Sequence, residues 1–138
     1  MTTDAEVRDA LAATKLFGSV KPRALAKIAG TAHVVQHDAG KELASEGREG
    51  VGFHLILEGQ AAVTVHGASR PSLGPGDYFG EISLIDGKPR SASVVAETPM
   101  TTISLVSWNF APLLDEEPEI TKALLFAMCD RLRSSEQA

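Results

Sequence analysis

The apolar positions change their period twice along the chain, from helical spacing to alternation and back. Thr3-Asp4-Ala5-Glu6 has capping-box spacing, a hydroxyl followed three residues later by a carboxylate. Val7, Leu11 and Leu16 then recur at roughly helical spacing, which predicts a first helix ended by Gly18-Ser19. Pro22 suits the first turn of a second helix, where its missing N–H costs no hydrogen bond. Leu25, Ile28 and Ala29 give that helix an apolar stripe, and Gly30 is placed to stop it. Residues 1–30 thus read as a helical segment.

From residue 31 the pattern becomes extended. Val34-Val35 lies in a short run closed by Asp38-Ala39-Gly40, and residues 41–45 predict a strand closed by a loop over 47–50. Phe53, Leu55 and Leu57 then point one way, and His54 and Ile56 the other. Glu58-Gly59 signals a tight turn, and Ala61, Val63 and Val65 alternate on the return strand. Residues 67–71 are expected to form a loop, and Gly74-Pro75-Gly76-Asp77 another turn. Residues 93–97 and 101–106 are β-rich, with Pro99 between them. Many short strands punctuated by Gly and Pro predict a mainly β fold with flanking helices (α+β), a jelly-roll-like β-barrel over 31–106.

The helical period then returns over 107–138. Ser107 is placed to cap a short helix through Trp108, Phe110 and Leu113-Leu114. Pro118 opens a longer helix reaching about Arg133, whose apolar residues cover more than one stripe. One face can lie on the barrel. The other can meet a partner or be covered within the chain.

Length and charge narrow the picture. The 138 residues suit one domain spanning 1–138, with no internal repeat or linker. A net charge of −5 weighs against a nucleic-acid surface, which needs clustered Lys and Arg. It leaves room for one locally positive pocket. Cys129 is the only cysteine, so no internal disulfide forms. No apolar run approaches a membrane span, and Met1-Thr2-Thr3-Asp4 does not read as a signal peptide. The expectation is a cytoplasmic protein without a membrane partner.

The candidate chemistry concentrates in residues 79–92, FGEISLIDGKPRSA. Gly80 ends a strand where backbone can approach a ligand closely. Residues 81–85 can form about one helical turn, whose first N–H groups lack helical partners and suit an anion. Pro89 stiffens the return, Arg90 brings planar cationic donors, and Ser91 adds a hydroxyl. Glu81 would repel a phosphate, so a sugar hydroxyl slightly further away is its natural partner. Acid to ribose and arginine to phosphate is a nucleotide pattern. The same residues also fit a plain turn with a surface ion pair.

The motif F-G-E-x-x-L followed by P-R-S-A resembles the phosphate-binding cassette of cyclic nucleotide-binding domains. That family includes the bacterial catabolite activator protein, the regulatory subunits of protein kinase A and cyclic-nucleotide-gated channels. The resemblance extends over nearly the whole chain and implies a sensor module, not an enzyme. It implies that Gly80 admits the ribose and that Glu81 accepts from its 2′-hydroxyl. The N–H groups of Ile82 and Ser83 would meet the cyclic phosphate, with Arg90 pairing its exocyclic oxygens and Ser91 adding a contact. Val63 and Leu73 match positions lining the base and ribose pocket. Counted from Pro118, Arg131 falls where the activator braces the cassette glutamate, and Ser135 near a residue that contacts adenine. The bland readings are an exposed helix-end cation for Arg131 and a frayed polar tail for Ser135.

Two departures bear on the base. Ser83 replaces a common alanine, and Ser91 carries a hydroxyl sometimes linked to cGMP acceptance. The implied ligand is cAMP, with cGMP open, and no other cofactor is expected. The last twelve positions hold no aromatic residue to stack on the base. No winged helix follows the last helix, so DNA binding is not implied. Output is expected through a separate effector protein or self-association by the C-terminal helix, with that helix moving on binding.

Two other functions compete. A cupin-type metal enzyme would need ligands among His33, His37, His54 and His66, which form no His-x-His pair and have no completing carboxylate. A nucleotide-blind interaction domain of the same fold would be expected to show a damaged cassette, whereas Gly80, Glu81, Pro89 and Arg90 are all present.

Overall fold

The computed structural model describes residues 2–48 and 52–136, the last two by backbone alone. Helices α1 (Asp4–Ala12) and α2 (Pro22–Ala29) open the chain. The capping box forms: Thr3 Oγ1 accepts from the Glu6 N–H at 3.1 Å, and the Thr3 N–H donates back to the Glu6 carboxylate. α1 ends at Ala12, short of the Leu16 expected in it. Thr14 is the reason, since its hydroxyl donates to the Leu11 carbonyl at 2.7 Å and accepts from the Phe17 N–H at 3.1 Å. Those bonds replace the next helical turn with tight turns. Leu16 and Phe17 are still fully buried.

Eight strands follow: β1 (Ala32–His37), β2 (Glu42–Ala44), β3 (Gly52–Glu58), β4 (Ala61–Val65), β5 (Ala68–Leu73), β6 (Tyr78–Phe79), β7 (Ser93–Ala96) and β8 (Met100–Val106). They make two antiparallel four-stranded sheets, ordered β1-β8-β3-β6 and β2-β7-β4-β5. The architecture is mainly β, a jelly-roll-like sandwich with flanking helices. Ile56, Phe79, Ala61, Val94 and Met100 fill one core cluster, drawn from both sheets. Phe53, Leu55, Ile103 and Leu105 point the opposite way, into a cluster with Phe17, Phe110, Ile120 and Leu124. Phe17 meets Phe53 edge-on, with ring centroids 5.6 Å apart. The alternation across β3 therefore serves two cores at once, and a one-residue slip would exchange them.

The expected loop over 67–71 is instead most of β5. His66 and Gly67, both at positive φ (51° and 77°), make the two-residue reversal that joins β4 to β5. Pro71 fits there because β5 is an edge strand, where a missing N–H need not break a ladder. Ser107 is the first residue of α4 (Ser107–Glu116), not its cap; Val106 holds the cap position without a side-chain bond.

The last helix, α5 (Pro118–Glu136), runs further than Arg133. The corner between α4 and α5 is fixed by Glu117, which is buried. Arg23 of α2 reaches its carboxylate with both terminal nitrogens, at 2.9 and 3.3 Å, and Lys27 bonds it as well. Hydrogen bonds from Arg23 and Lys27 hold the Glu117 pKa down to about 2. This clamp ties the N-terminal helices to the root of α5.

Candidate functional site

β6 pairs with β3 through His54 opposite Phe79 and Leu55 opposite Tyr78, then stops. Gly80 follows in the left-handed region (φ 85°) and caps the short helix α3 (Glu81–Asp86). A side chain at Gly80 would be strained by that φ and would collide with the Arg90 guanidinium and the Gly52 carbonyl. The glycine expected to admit a ribose thus also seats the arginine.

Arg90 is 6% exposed. Its backbone is pinned to the β2–β3 connection: its N–H donates to the Arg48 carbonyl at 2.8 Å, and its carbonyl accepts from the Gly47 N–H at 2.9 Å. Nη2 donates to the Gly52 carbonyl. Nε and Nη1 are buried and have no partner among the described residues. Burial pushes the Arg90 pKa below the usual arginine value. A buried guanidinium with two idle donors is costly unless an anion completes it.

Arg90 opens on a pocket of about 340 Å³ that also takes in Gly80, Glu81, Ile82, Ser83 and Ser91. Val63 and Leu73 line it from β4 and β5. Eight of the predicted contact residues therefore meet in one cavity. Glu81 and Ser83 are buried, while Ile82 is 43% exposed. Glu81 is engaged within the fold: Arg131 reaches down from α5 and pairs with its carboxylate through Nη1. Arg131 lines this pocket and also a broader cleft of about 740 Å³ beside α5. The ion pair stands at their junction and joins the last helix to the cassette. Ser135 continues α5, and its side chain lies outside the described residues.

Ala44, Arg70, Pro71, Tyr78 and Val94 also line the pocket and were not anticipated from the sequence. Ala44 and Val94 come from β2 and β7, so the second sheet forms an apolar floor. The register of β4 and β5, with Val63 opposite Arg70, would have pointed to Arg70.

Beneath the cassette lies a polar cluster. His54 stacks on Phe79 with centroids 5.1 Å apart, and its Nδ1 is 2.8 Å from the Ser104 hydroxyl. His37 Nε2 is 2.9 Å from the Thr102 hydroxyl, and the two imidazoles meet edge-on at 5.8 Å. Burial first, then the Arg90 charge and His37, lower the His54 pKa to about 4. His54 is neutral near pH 7 and adds no charge beside Arg90. His33 is exposed on β1, and His66 sits in the β4–β5 turn, 3.1 Å from Glu46. Among the described residues no three potential metal ligands cluster.

Comparison with known proteins agrees with this geometry. Residues 34–117 match the family model described as cyclic nucleotide-binding domain. A cAMP-dependent protein kinase regulatory subunit of Aspergillus niger is 38% identical over 109 residues, 78% of this chain and 26% of that protein. A cyclic nucleotide-gated potassium channel of Mesorhizobium japonicum is 36% identical over 112 residues, 81% of this chain and 31% of the channel. The chain thus spans under a third of either relative. Among solved structures, the N-terminal domain of a transcriptional regulator from Streptomyces coelicolor A3(2) superposes with a TM-score of 0.80 at 28% identity, covering 94% of this chain and 96% of that one. The catabolite activator protein of Thermus thermophilus gives 0.74 at 26% identity, covering 90% and 61%. The chain belongs to the cyclic nucleotide-binding domain family. No helix among the described residues is long and apolar enough to cross a membrane.

Proposed function

We propose that this chain is a cyclic-nucleotide sensor that takes cAMP and performs no catalysis. The observation that carries this reading is Arg90, a buried guanidinium with two unpartnered donors facing a pocket next to Glu81. A cyclic phosphate supplies the missing anion, and charge-assisted bonds of this kind contribute roughly 1.5–3 kcal/mol each. The N–H groups of Ile82 and Ser83 and the Ser91 hydroxyl complete the phosphate seat. Glu81 takes the ribose 2′-hydroxyl, and Val63 and Leu73 pack against ribose and base.

The Glu81–Arg131 pair gives the sensor its output. A ribose hydroxyl arriving at Glu81 changes the group to which Arg131 is tied, so occupancy biases the position of α5. The switching energy equals the difference in ligand affinity between the two positions of that helix. Leu125, Phe126 and Leu132 are 57–63% exposed on α5, which supports a separate effector protein or a second copy as the receiver. The acidic net charge and the absence of any long apolar helix among the described residues support a cytoplasmic role without direct nucleic-acid or membrane contact.

The test is an NMR titration with cAMP that follows backbone amides. Saturable shifts concentrated in residues 80–92, with a second set in 118–134, are expected. Shifts scattered over the surface, or none at millimolar cAMP, would refute the assignment.

A further inference from the structure

A buried row of polar side chains lies beneath the phosphate seat and takes no part in holding the ligand. It starts at His54 on β3, which is 8% exposed. His54 Nδ1 is 2.8 Å from the Ser104 hydroxyl, Ser104 is 3.3 Å from the Thr102 hydroxyl, and Thr102 is 2.9 Å from His37 Nε2. His37 is half-buried on the edge strand β1, so the row runs from the core toward solvent. A hydroxyl both donates and accepts, so Thr102 and Ser104 can serve the His54 ring in either charge state. An apolar side chain would fill the same place without the cost of burying an imidazole.

Two contacts place that imidazole beside the anion seat. Its ring stacks on Phe79, the residue before Gly80, with centroids 5.1 Å apart. Arg90 donates to the carbonyl of Gly52, two residues from His54 on the same strand and so about 7 Å along it. The Arg90 charge reaches the ring: burial first, then Arg90, then His37 lower the His54 pKa to about 4. His37 is itself lowered by burial and then by Lys41. The remaining neighbours are uncharged. β8 offers Thr102 and Ser104, β6 offers Phe79, and the facing sheet fills this core with Ala44, Ala61, Val94 and Ala96. Among the described residues no carboxylate pairs with either ring, and Glu81 of the cassette is taken by Arg131.

We propose that His54 couples the phosphate seat to pH: it takes up a proton when an anion settles on Arg90, so the sensor binds its cyclic nucleotide more tightly in mild acid. The inference rests on the cyclic-nucleotide reading of the site and adds to it a second input, the proton. In the free protein the Arg90 charge opposes a second cation nearby. A bound phosphate monoanion offsets that charge at the ring, and burial and His37 alone still oppose the proton. The bound form therefore keeps its proton to higher pH than the free form. Linkage fixes the sign: the ligand raises the proton affinity, so the proton raises the ligand affinity by the same factor. Well above pH 6.5 both forms are neutral and affinity is flat; below it, affinity rises as pH falls toward 4.

The experiment is calorimetric titration of cAMP into the wild-type chain and His54→Gln, each at about pH 7.5 and about pH 5, on either side of the ordinary histidine value. Glutamine can still hydrogen-bond Ser104 but does not titrate. Wild-type affinity should rise by at least about twofold from the higher pH to the lower, with a ceiling of roughly 30-fold if the anion returned His54 to its ordinary value. His54→Gln should lose that rise; the titration of adenine itself is common to both proteins and cancels. Buffers of different ionisation enthalpy should show net proton uptake on wild-type binding at the lower pH, and none in the variant. NMR titration of the His54 ring in the wild type, free and saturated with cAMP, reads the same link without any substitution, and an upward shift on binding is expected. A ring titration that stays put or moves down overturns the proposal, as do equal pH slopes in the two proteins, and either leaves the sensor reading standing. Failure of cAMP to bind the wild type at either pH overturns both.

Discussion

Gly80→Ala separates two reasons for one glycine. The position has φ 85°, and an added Cβ there would strike the Arg90 guanidinium and the Gly52 carbonyl. Gly87, at the other end of α3, has φ 69° and nothing within 4 Å of where a Cβ would stand. Both substitutions carry the left-handed backbone penalty, about 1–2 kcal/mol for an L-residue. Only Gly80→Ala adds overpacking, typically about 1–3 kcal/mol. Gly87→Ala should therefore cost about 1–2 kcal/mol and Gly80→Ala about 2–5 kcal/mol. Urea unfolding followed by circular dichroism measures both, with unchanged m-values confirming that the comparison is between like states. Gly80→Ala should also weaken cAMP binding, since relief of the collision moves Arg90, whereas Gly87→Ala should not. Equal stability losses for the two variants, with binding intact in both, would refute the claim that Gly80 seats Arg90.

Other outcomes follow from the same geometry. A double-mutant cycle of Glu81→Gln and Arg131→Ala in urea should give a coupling of about 0.2–1 kcal/mol, small because Arg131 is 54% exposed; strict additivity would remove the tie between cassette and α5. His54 has a folded pKa of about 4, below its usual 6.5, so the unfolded chain takes up the proton first. Stability should be full above pH 6.5 and fall between pH 6.5 and 4, by roughly 3 kcal/mol, and a His54→Gln variant that keeps the same slope would contradict this. Glu117 is held near 2, below the usual 4.5, so its contribution should be present above pH 4.5 and lost as pH falls toward 2. Glu117→Gln should flatten that acid limb, and an unchanged limb would show that the clamp to Arg23 and Lys27 is not what acid breaks.

Local chemistry was readable where one short segment holds all the parts. Glu81, Ser83, Arg90 and Ser91 lie within one cassette, and a strand-glycine-turn-arginine pattern implied their meeting before any fold was known. The two faces of β3 were equally plain, because Phe53 and Leu55 against His54 and Ile56 is a period-two signal that burial on both sides preserves. β5 was hidden because its Ser69, Arg70, Pro71 and Ser72 are exposed at a sheet edge and carry no apolar alternation. Losing that strand also lost Arg70 from the pocket. The early end of α1 turned on Thr14, whose hydroxyl competes with the backbone for helical bonds, a choice that apolar spacing does not record. Arg131 meets Glu81 across 50 positions of sequence; only the resemblance suggested it, and only packing of α5 delivers it. The His37–His54–Thr102–Ser104 cluster needs three strands in the order β1-β8-β3, which no local pattern encodes.

The central claim is that Arg90 is an anion seat awaiting a cyclic phosphate. Calorimetric titration of cAMP into the wild type and Arg90→Ala tests it most directly. Saturable binding in the wild type and a loss of about 2–5 kcal/mol in the variant are predicted, the cost of stranding a desolvated phosphate charge. Equal affinity in the two proteins, or no binding to the wild type, would contradict it.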